Sequence, residues 1–331
     1  MEHDAHAAPP SELRVLFKQW QKSPRETVDS DPDVLDTSCL NIDGRVSKFS
    51  IDDEHQASIA RAFKQFMCDG SYASLRARVV CFEVKALPGL FLYPSLLPGD
   101  VQAVLLNKLL HRDLSDPNHT NNLQLHYDIP SDPDTNALPP QSFFEFDIRQ
   151  QLQPKDRTTH KPKSIKQVLE KNLRWVTLGG QYDWTNKVYP DAKPPPFPSD
   201  ITDLLKGTFR NIEPQAAILN FYSPGDTLSL HRDVSEECDE GLISVSIGCD
   251  ALFLVANSDG TRTEVIRLRS GDVILMSGES RYAWHAVPKV VAGTCPHPLQ
   301  DWPCMDTSSS FSQWRGWLAN KRINLNVRQM R

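Results

Sequence analysis

Residues 216–233 read AAILNFYSPGDTLSLHRD, and the reading of the whole chain turns on them. Two runs of strand-like residues flank Ser223-Pro224-Gly225-Asp226, a cluster with turn chemistry. Side chains two apart in a strand share a face. Asn220 and Tyr222 therefore project together from the first run, and His231 and Asp233 from the second. An imidazole and a carboxylate offered side by side are two of the three ligands of a facial metal site.

Downstream of this stretch the texture stays that of short strands at close spacing: LISVSIG, ALFLVA, EVIRLR, VILMS and YAWHAV. Ser258-Asp259-Gly260 and Ser270-Gly271-Asp272 separate them as turns. This rhythm is that of a jelly roll or barrel. It breaks after Pro288, where a loop with Pro296, Pro298 and Pro303 leads to an expected Ser-capped helix around Phe311–Lys321. The strand RINLNVRQ closes the chain.

Upstream, helices dominate. Leu13, Leu16, Phe17 and Trp20 recur at one-face spacing, as do Ile59, Ala62, Phe63 and Phe66. Asp100 is a plausible N-cap for a helix buried through Val101, Val104, Leu105 and Leu109. Ser199 or Asp200 can cap another, buried through Ile201, Leu204 and Leu205. Residues 26–54 are expected to be extended or loop, and residues 115–142, rich in Asp, Asn, Pro and Ser, a long surface loop. Residues 155–174 hold seven Lys or Arg against Asp156 and Glu170. That run is either a solvated helix face, with Ile165, Val168, Leu169 and Leu173 turned inward, or a rim that touches phosphates.

Composition narrows the class. Hydrophobic residues at 39% and charged residues at 24% are ordinary for a globular protein. A net charge of −6 argues against a surface basic all round, though not against a local basic patch. The seven cysteines are odd in number and widely spaced, without a C-x-x-C, which fits reduced thiols better than a disulfide framework. No apolar run approaches the roughly 18 residues a membrane span needs. The N-terminus lacks signal-peptide and transit-peptide character, so cytoplasm or nucleus is the expected address, and the mitochondrion stays open as an alternative although no transit peptide is evident.

For a third ligand, His285 lies on the strand-like YAWHAV, whereas His297 sits in a proline-rich loop with a less rigid backbone. In RINLNVRQ, alternation puts Arg322, Asn324, Asn326 and Arg328 on one face and Ile323, Leu325 and Val327 on the other. The pattern is either an edge strand with its polar face in water or a buried strand whose arginines meet an anion. A dicarboxylate with a 2-oxo acid end would satisfy the second reading, because a guanidinium takes its far carboxylate bidentately.

These elements in this order, ILNFYSPGDTLSLHRD, LISVSIG, SGDVILMSGESRYAWHAV and RINLNVRQ, resemble the AlkB family of Fe(II)/2-oxoglutarate dioxygenases. WVTLGGQYDWTNKVY, PPFPSD, DWPC, QWRGWL and FKQWQKSPR are most similar to its homologue 1 branch. The resemblance implies an α+β chain with a double-stranded β-helix (jelly-roll) core at 170–331. Residues 1–169 would form a helical and loop extension that includes the basic segment. It implies iron on His231, Asp233 and His285, and 2-oxoglutarate on Asn220, Tyr222, Arg322, Asn324 and Arg328. Substrate contacts would come from Gln181, Tyr182, Trp184, Ser235 and Glu236. Tyr182 and Trp184 could stack on a base or belong to the core. At 235, where bacterial members carry an acidic residue, this chain has serine.

The implied reaction uses Fe(II), 2-oxoglutarate and O2 to remove methyl groups from bases of RNA, tRNA especially, or of single-stranded or unpaired DNA. Oxidation of methylcytosine in tRNA is a further option. A monomer with no membrane association is expected. The alternatives are a 2-oxoglutarate-dependent protein hydroxylase or demethylase, and a non-catalytic nucleic-acid binder with a degenerate site.

Overall fold

Alternation along three neighbouring strands builds the centre of the molecule. In the computed structural model, which describes residues 7–38, 44–68, 78–129, 141–190, 193–304 and 310–331, each strand of that trio is apolar on one face and carries its polar side chains on the other. In chain order the N-terminal part forms α1 (Ser11–Lys22), α2 (Arg25–Ser30), β1 (Val34–Leu35), β2 (Val46–Ser50), α3 (Asp53–Met67), β3 (Val80–Val84), β4 (Leu90–Tyr93) and α4 (Gly99–Asn107). The middle forms β5 (Tyr127–Asp128), β6 (Gln151–Pro154), β7 (Lys163–Ser164), α5 (Ile165–Gln167), β8 (Trp175–Gly179) and α6 (Ser199–Lys206). The remainder is β-rich: β9 (Ala216–Tyr222), β10 (Leu228–His231), β11 (Leu242–Gly248), β12 (Ala251–Ala256), β13 (Thr263–Leu268), β14 (Val273–Met276), β15 (Trp284–Val290) and β16 (Arg322–Arg328).

An eight-stranded sheet runs β2-β3-β4-β14-β11-β16-β9-β8 and a five-stranded sheet β1-β13-β12-β15-β10. From β9 onward every connection except β12–β13 crosses between the sheets, which is the winding of a double-stranded β-helix. Residues 46–93 supply three strands of the larger sheet and residues 34–35 one of the smaller. The crossing after β11 starts at Gly248, whose φ of +90° and whose 2.3 Å approach of a would-be Cβ to the Lys321 carbonyl oxygen exclude any side chain.

Register decides which face is which. Ile243, Val245 and Ile247 of β11 sit opposite Val327, Leu325 and Ile323, which in turn sit opposite Ala217, Leu219 and Phe221 of β9. This apolar face packs on Ile59 and Phe63 of α3, Val101 and Leu105 of α4, and Ile201 and Leu204 of α6. Each such side chain contributes about 1.5–3 kcal/mol on full burial. The face between the sheets is apolar at one end, where Leu90, Leu92, Leu242 and Met276 meet Phe253, Val255 and Ile266. Toward the other end it becomes polar. The outer face of the smaller sheet is covered by Trp20 and Leu13 of α1.

β16 lies in mid-sheet with all seven residues buried, so the solvent-facing edge reading is overturned. The helix expected at Phe311–Lys321 is instead two 3-10 turns, Ser312–Trp314 and Trp317–Asn320, broken by Gly316 at φ +79°. The Trp314 and Trp317 indoles donate to the Phe144 and Leu169 carbonyls, and these anchors fix the irregular path. Asp100 lies inside the first turn of α4, and Pro98 takes the cap position. Residues 155–164 are the turn and second strand of a β-hairpin, and Ile165–Asn172 are helical, with Ile165, Val168, Leu169 and Leu173 buried as the helix-face reading expects. Residues 26–54 include part of α2 besides their strands, and the 130–140 portion of the expected 115–142 loop lies outside the described residues. The described cysteines are free thiols, and among the described residues no helix is long and apolar enough to cross a membrane.

Under the larger sheet, His111 stacks on Phe311 (centroids 4.5 Å, 21°) beside Trp302 and Phe144, its Nδ1 2.7 Å from Ser142 Oγ. Burial lowers its pKa to about 4. From the ordinary value of about 6.5 down to that point, the unfolded chain binds a proton the folded chain does not, so acid costs stability across this window. Thermal midpoints of wild type and His111→Phe between pH 7 and pH 5 test it. The variant should lose less stability over that range, and parallel losses would refute the assignment.

Candidate metal centre and co-substrate pocket

His231 on β10 and His285 on β15 are register partners, which sets their rings 4.2 Å apart at 52°. Each ring places Nδ1 on a carbonyl two residues back, Ser229 at 2.8 Å and Ala283 at 3.1 Å. A carbonyl only accepts, so Nδ1 carries the proton and the Nε2 lone pairs point inward. Asp233 follows His231 by two residues, its Oδ1 3.9 Å from His231 Nε2 and its Oδ2 3.7 Å from His285 Nε2. One donor atom from each residue falls within 4.8 Å of the others, and among the described residues this is the one such cluster of three or more metal-binding side chains. His285 Nε2 is buried without a hydrogen-bond partner. Burial, reinforced by His231, lowers the His285 pKa to about 4 and keeps the ring a neutral ligand. Burial opposes the charge of Asp233, but Arg328 and then the two histidines outweigh it and hold the carboxyl well below its usual range.

The polar face of β16 runs away from this centre. Arg322 is 1% exposed, and its Nε and one terminal nitrogen have no partner. Burial pulls its pKa below the ordinary value. Its register partner Tyr222 has a buried hydroxyl that is equally unpaired, and so are Ser246 Oγ and Asn326 Oδ1 on the same face. Asn220 is half-buried opposite Asn324, whose amide is held by Ser244 Oγ and the Val245 carbonyl. A stripped guanidinium costs several kcal/mol without a counter-charge. A carboxylate on Arg322 and Tyr222, with the molecule's other end at the histidines, fits this set of orphaned groups.

Arg328 is differently placed. It donates to Asp233 Oδ2 at 2.9 Å and to Tyr189 at 3.0 Å, and lies 3.2 Å from Glu236 Oε1, so only Nε remains without a partner. Arg281 extends the chain of charges, meeting Glu236 at 2.9 Å and the Asp233 carbonyl at 2.8 Å.

The residues expected to touch substrate divide. Asp183 and Val188 bridge to form a hairpin flap that carries Trp184, 41% exposed, at its tip. Tyr182 packs edge-on against Trp184 and Tyr189, and its hydroxyl lies 3.3 Å from Ser235 Oγ. Ser235 Oγ also donates to the Lys187 carbonyl at 2.9 Å. Two expectations are corrected. The amide of Gln181 is committed to Gly179, Thr120 and Thr177, and so roots the flap. The Glu236 side chain, 1% exposed, is enclosed by Arg281 and Arg328 and offers no edge to a base. Sequence reading missed Ser246, although the alternation of LISVSIG places it on the face of Asn324. Tyr189 and Arg281 carry no sequence signal separating them from ordinary strand-end residues.

Residues 142–328 match the 2OG-Fe(II) oxygenase superfamily. Over its whole length the chain is 45% identical to the N6-methyladenosine RNA demethylase ALKB1 of Pyricularia oryzae, spanning 98% of that protein. It is 38% identical to the tRNA demethylase abh1 of Schizosaccharomyces pombe, over 76% of this chain and 82% of that one. It is also 35% identical to the human nucleic acid dioxygenase ALKBH1, over 54% and 50% respectively.

If Arg322 is held for a carboxylate, Arg322→Met removes an unpaired buried charge and its ligand contact together. The ligand-free variant should melt no lower than wild type, yet 2-oxoglutarate with Mn(II) should no longer raise its melting temperature. A ligand-induced shift of wild-type size would refute the role.

Proposed function

This chain belongs to the AlkB branch of the 2OG-Fe(II) oxygenases, and on that premise we propose that it oxidatively removes methyl groups from adenines of RNA, tRNA included. The observation that carries the reading is the His231–Asp233–His285 cluster with an unpaired Arg322 on the same polar interior. Bound Fe(II) supplies the oxidation: one oxygen atom of O2 enters the N-methyl carbon, the other enters succinate as 2-oxoglutarate loses CO2, and the hydroxymethyl group leaves as formaldehyde.

The protein's own part is placement. The Ser229 and Ala283 carbonyls hold both imidazoles with Nε2 inward. Arg328 keeps Asp233 ionised and fixed. Arg322 and Tyr222 take the far carboxylate of the co-substrate. The flap is tied to Ser235 and, through Tyr189, to Arg328, which fixes it beside Asp233. A paired base cannot reach such a centre, so unpaired or flipped nucleotides are its substrates. The protein acts as a single chain in the cytoplasm or nucleus in this reading.

A panel of tRNA, single-stranded RNA, single-stranded DNA and peptide, each N-methylated, tests it by mass spectrometry of the modified residues. Methyladenine in RNA should be lost with matching formaldehyde and succinate, and His231→Ala should reduce turnover at least a hundredfold. Consumption of the peptide alone would sink the proposal.

A further inference from the structure

Among the described residues the buried lysines and arginines are Arg267, Arg281, Lys321, Arg322 and Arg328. Arg267, Arg281 and Arg328 each meet a carboxylate. Arg322 is accounted for by the co-substrate pocket. Lys321, its neighbour in the chain, is not. Its Nζ donates to the Glu170 carbonyl and, at 2.7 Å, to Ser223 Oγ, and stands 5.6 Å from the centre of the Trp317 ring. All three partners are neutral. The acids nearby are engaged elsewhere, Asp226 by Arg174 and the Glu170 carboxylate by Lys166 at 3.8 Å. Burial, with Arg174 adding to it against Asp226 and Glu170, lowers the Lys321 pKa to about 8. An ammonium, unlike a guanidinium, answers such a place by giving up its proton.

The amine lines a cavity of about 350 Å³. Buried Trp314 and Trp317 line it too, with their indoles committed to the Phe144 and Leu169 carbonyls. Lys166, the other amine of the lining, is exposed. A cavity of this size admits a short carbon chain, and a desolvated lysine beside it is an activated nucleophile. The electrophile it suits is a thioester, whose carbonyl yields to a neutral amine in water where oxygen esters and amides resist.

We propose that Lys321 is an acylation site, taking a short acyl group from a thioester donor in the cavity beside it. The Nζ lone pair attacks the thioester carbonyl, the C–N bond forms as the C–S bond breaks, and the sulfur leaves as a thiolate that takes up the proton lost by the amine. The product amide keeps one N–H, so either the Glu170 carbonyl or Ser223 Oγ loses its donor. Lys321 precedes Arg322 and Ser223 follows Tyr222, so the altered contact adjoins the register pair Tyr222–Arg322. The site does not depend on the RNA reading.

The test incubates the full chain with acetyl-CoA from about pH 6 to about pH 10 and follows acetylation of each lysine by peptide mass spectrometry. A midpoint near 8 leaves on the order of a hundredfold more free amine at neutral pH than the usual lysine value does, offset in part because a weaker base is a weaker nucleophile. Lys321 should therefore be acetylated at least roughly tenfold faster than Lys166 in the same cavity and Lys64 on α3. Its rate should level off above about pH 8 while theirs continue to rise. In the urea-unfolded chain the advantage should vanish, because the fold creates it. Equal or slower acetylation of Lys321 in the folded protein, or the same advantage in the unfolded chain, overturns the site.

Discussion

A guanidinium without an ion-pair partner in the middle of an eight-stranded sheet is the constraint from which the rest follows. Arg322 is 1% exposed with its Nε and one terminal nitrogen unpartnered, and the Tyr222 hydroxyl is unpaired beside it. The folded chain bears that cost because the opposite face of the same three strands is wholly apolar and covered by α3, α4 and α6. One alternation therefore serves two ends, since Ile323, Leu325 and Val327 supply the stability that Arg322, Asn324 and Asn326 spend on the pocket. The helices before β8 are thus part of what makes the pocket thermodynamically possible.

The metal end is organised differently, by alternating charges with little left unpaired. Arg281 holds Glu236, Glu236 faces Arg328, and Arg328 holds Asp233. In a low-dielectric interior such a chain resists the rotation of any one member, because turning it strands a charge on its neighbour. Asp233 thus stays ionised and aimed at the histidines without a cation bound. The two arginines of β16 divide the work between them. Arg328 is a brace, committed to Asp233 and Tyr189, whereas Arg322 keeps two of its nitrogens without a partner.

This division explains what the sequence could and could not convey. Strand rhythm from Ala216 onward, the H-x-D pair with His285, and the polar face of RINLNVRQ follow from a period of two, and each appears in the structure. Whether that polar face meets water or a ligand depended on β9 and β11 flanking β16, a non-local fact. Gln181 and Glu236 looked available because polar residues near a site usually are, yet Thr120 and Thr177 occupy the first and Arg281 and Arg328 the second. The residues that consumed them lie far away in sequence. Gly316 likewise ended a helix that local propensity favoured, at a point where two tryptophans were anchored to distant carbonyls.

Position 235 shows how small a change can redirect such a site. Its hydroxyl donates to the carbonyl of Lys187, a residue at φ +56°, and lies within reach of the Tyr182 hydroxyl. A carboxylate there could not donate to a carbonyl, and it would add a third negative group beside Asp233 and Glu236. Serine is therefore compatible with a flap latched to the segment that leaves Asp233, whereas an acid would leave that carbonyl unmet. In this chain the strand beside Asp233 secures the flap, which leaves Trp184 and Val188 as its exposed apolar surface.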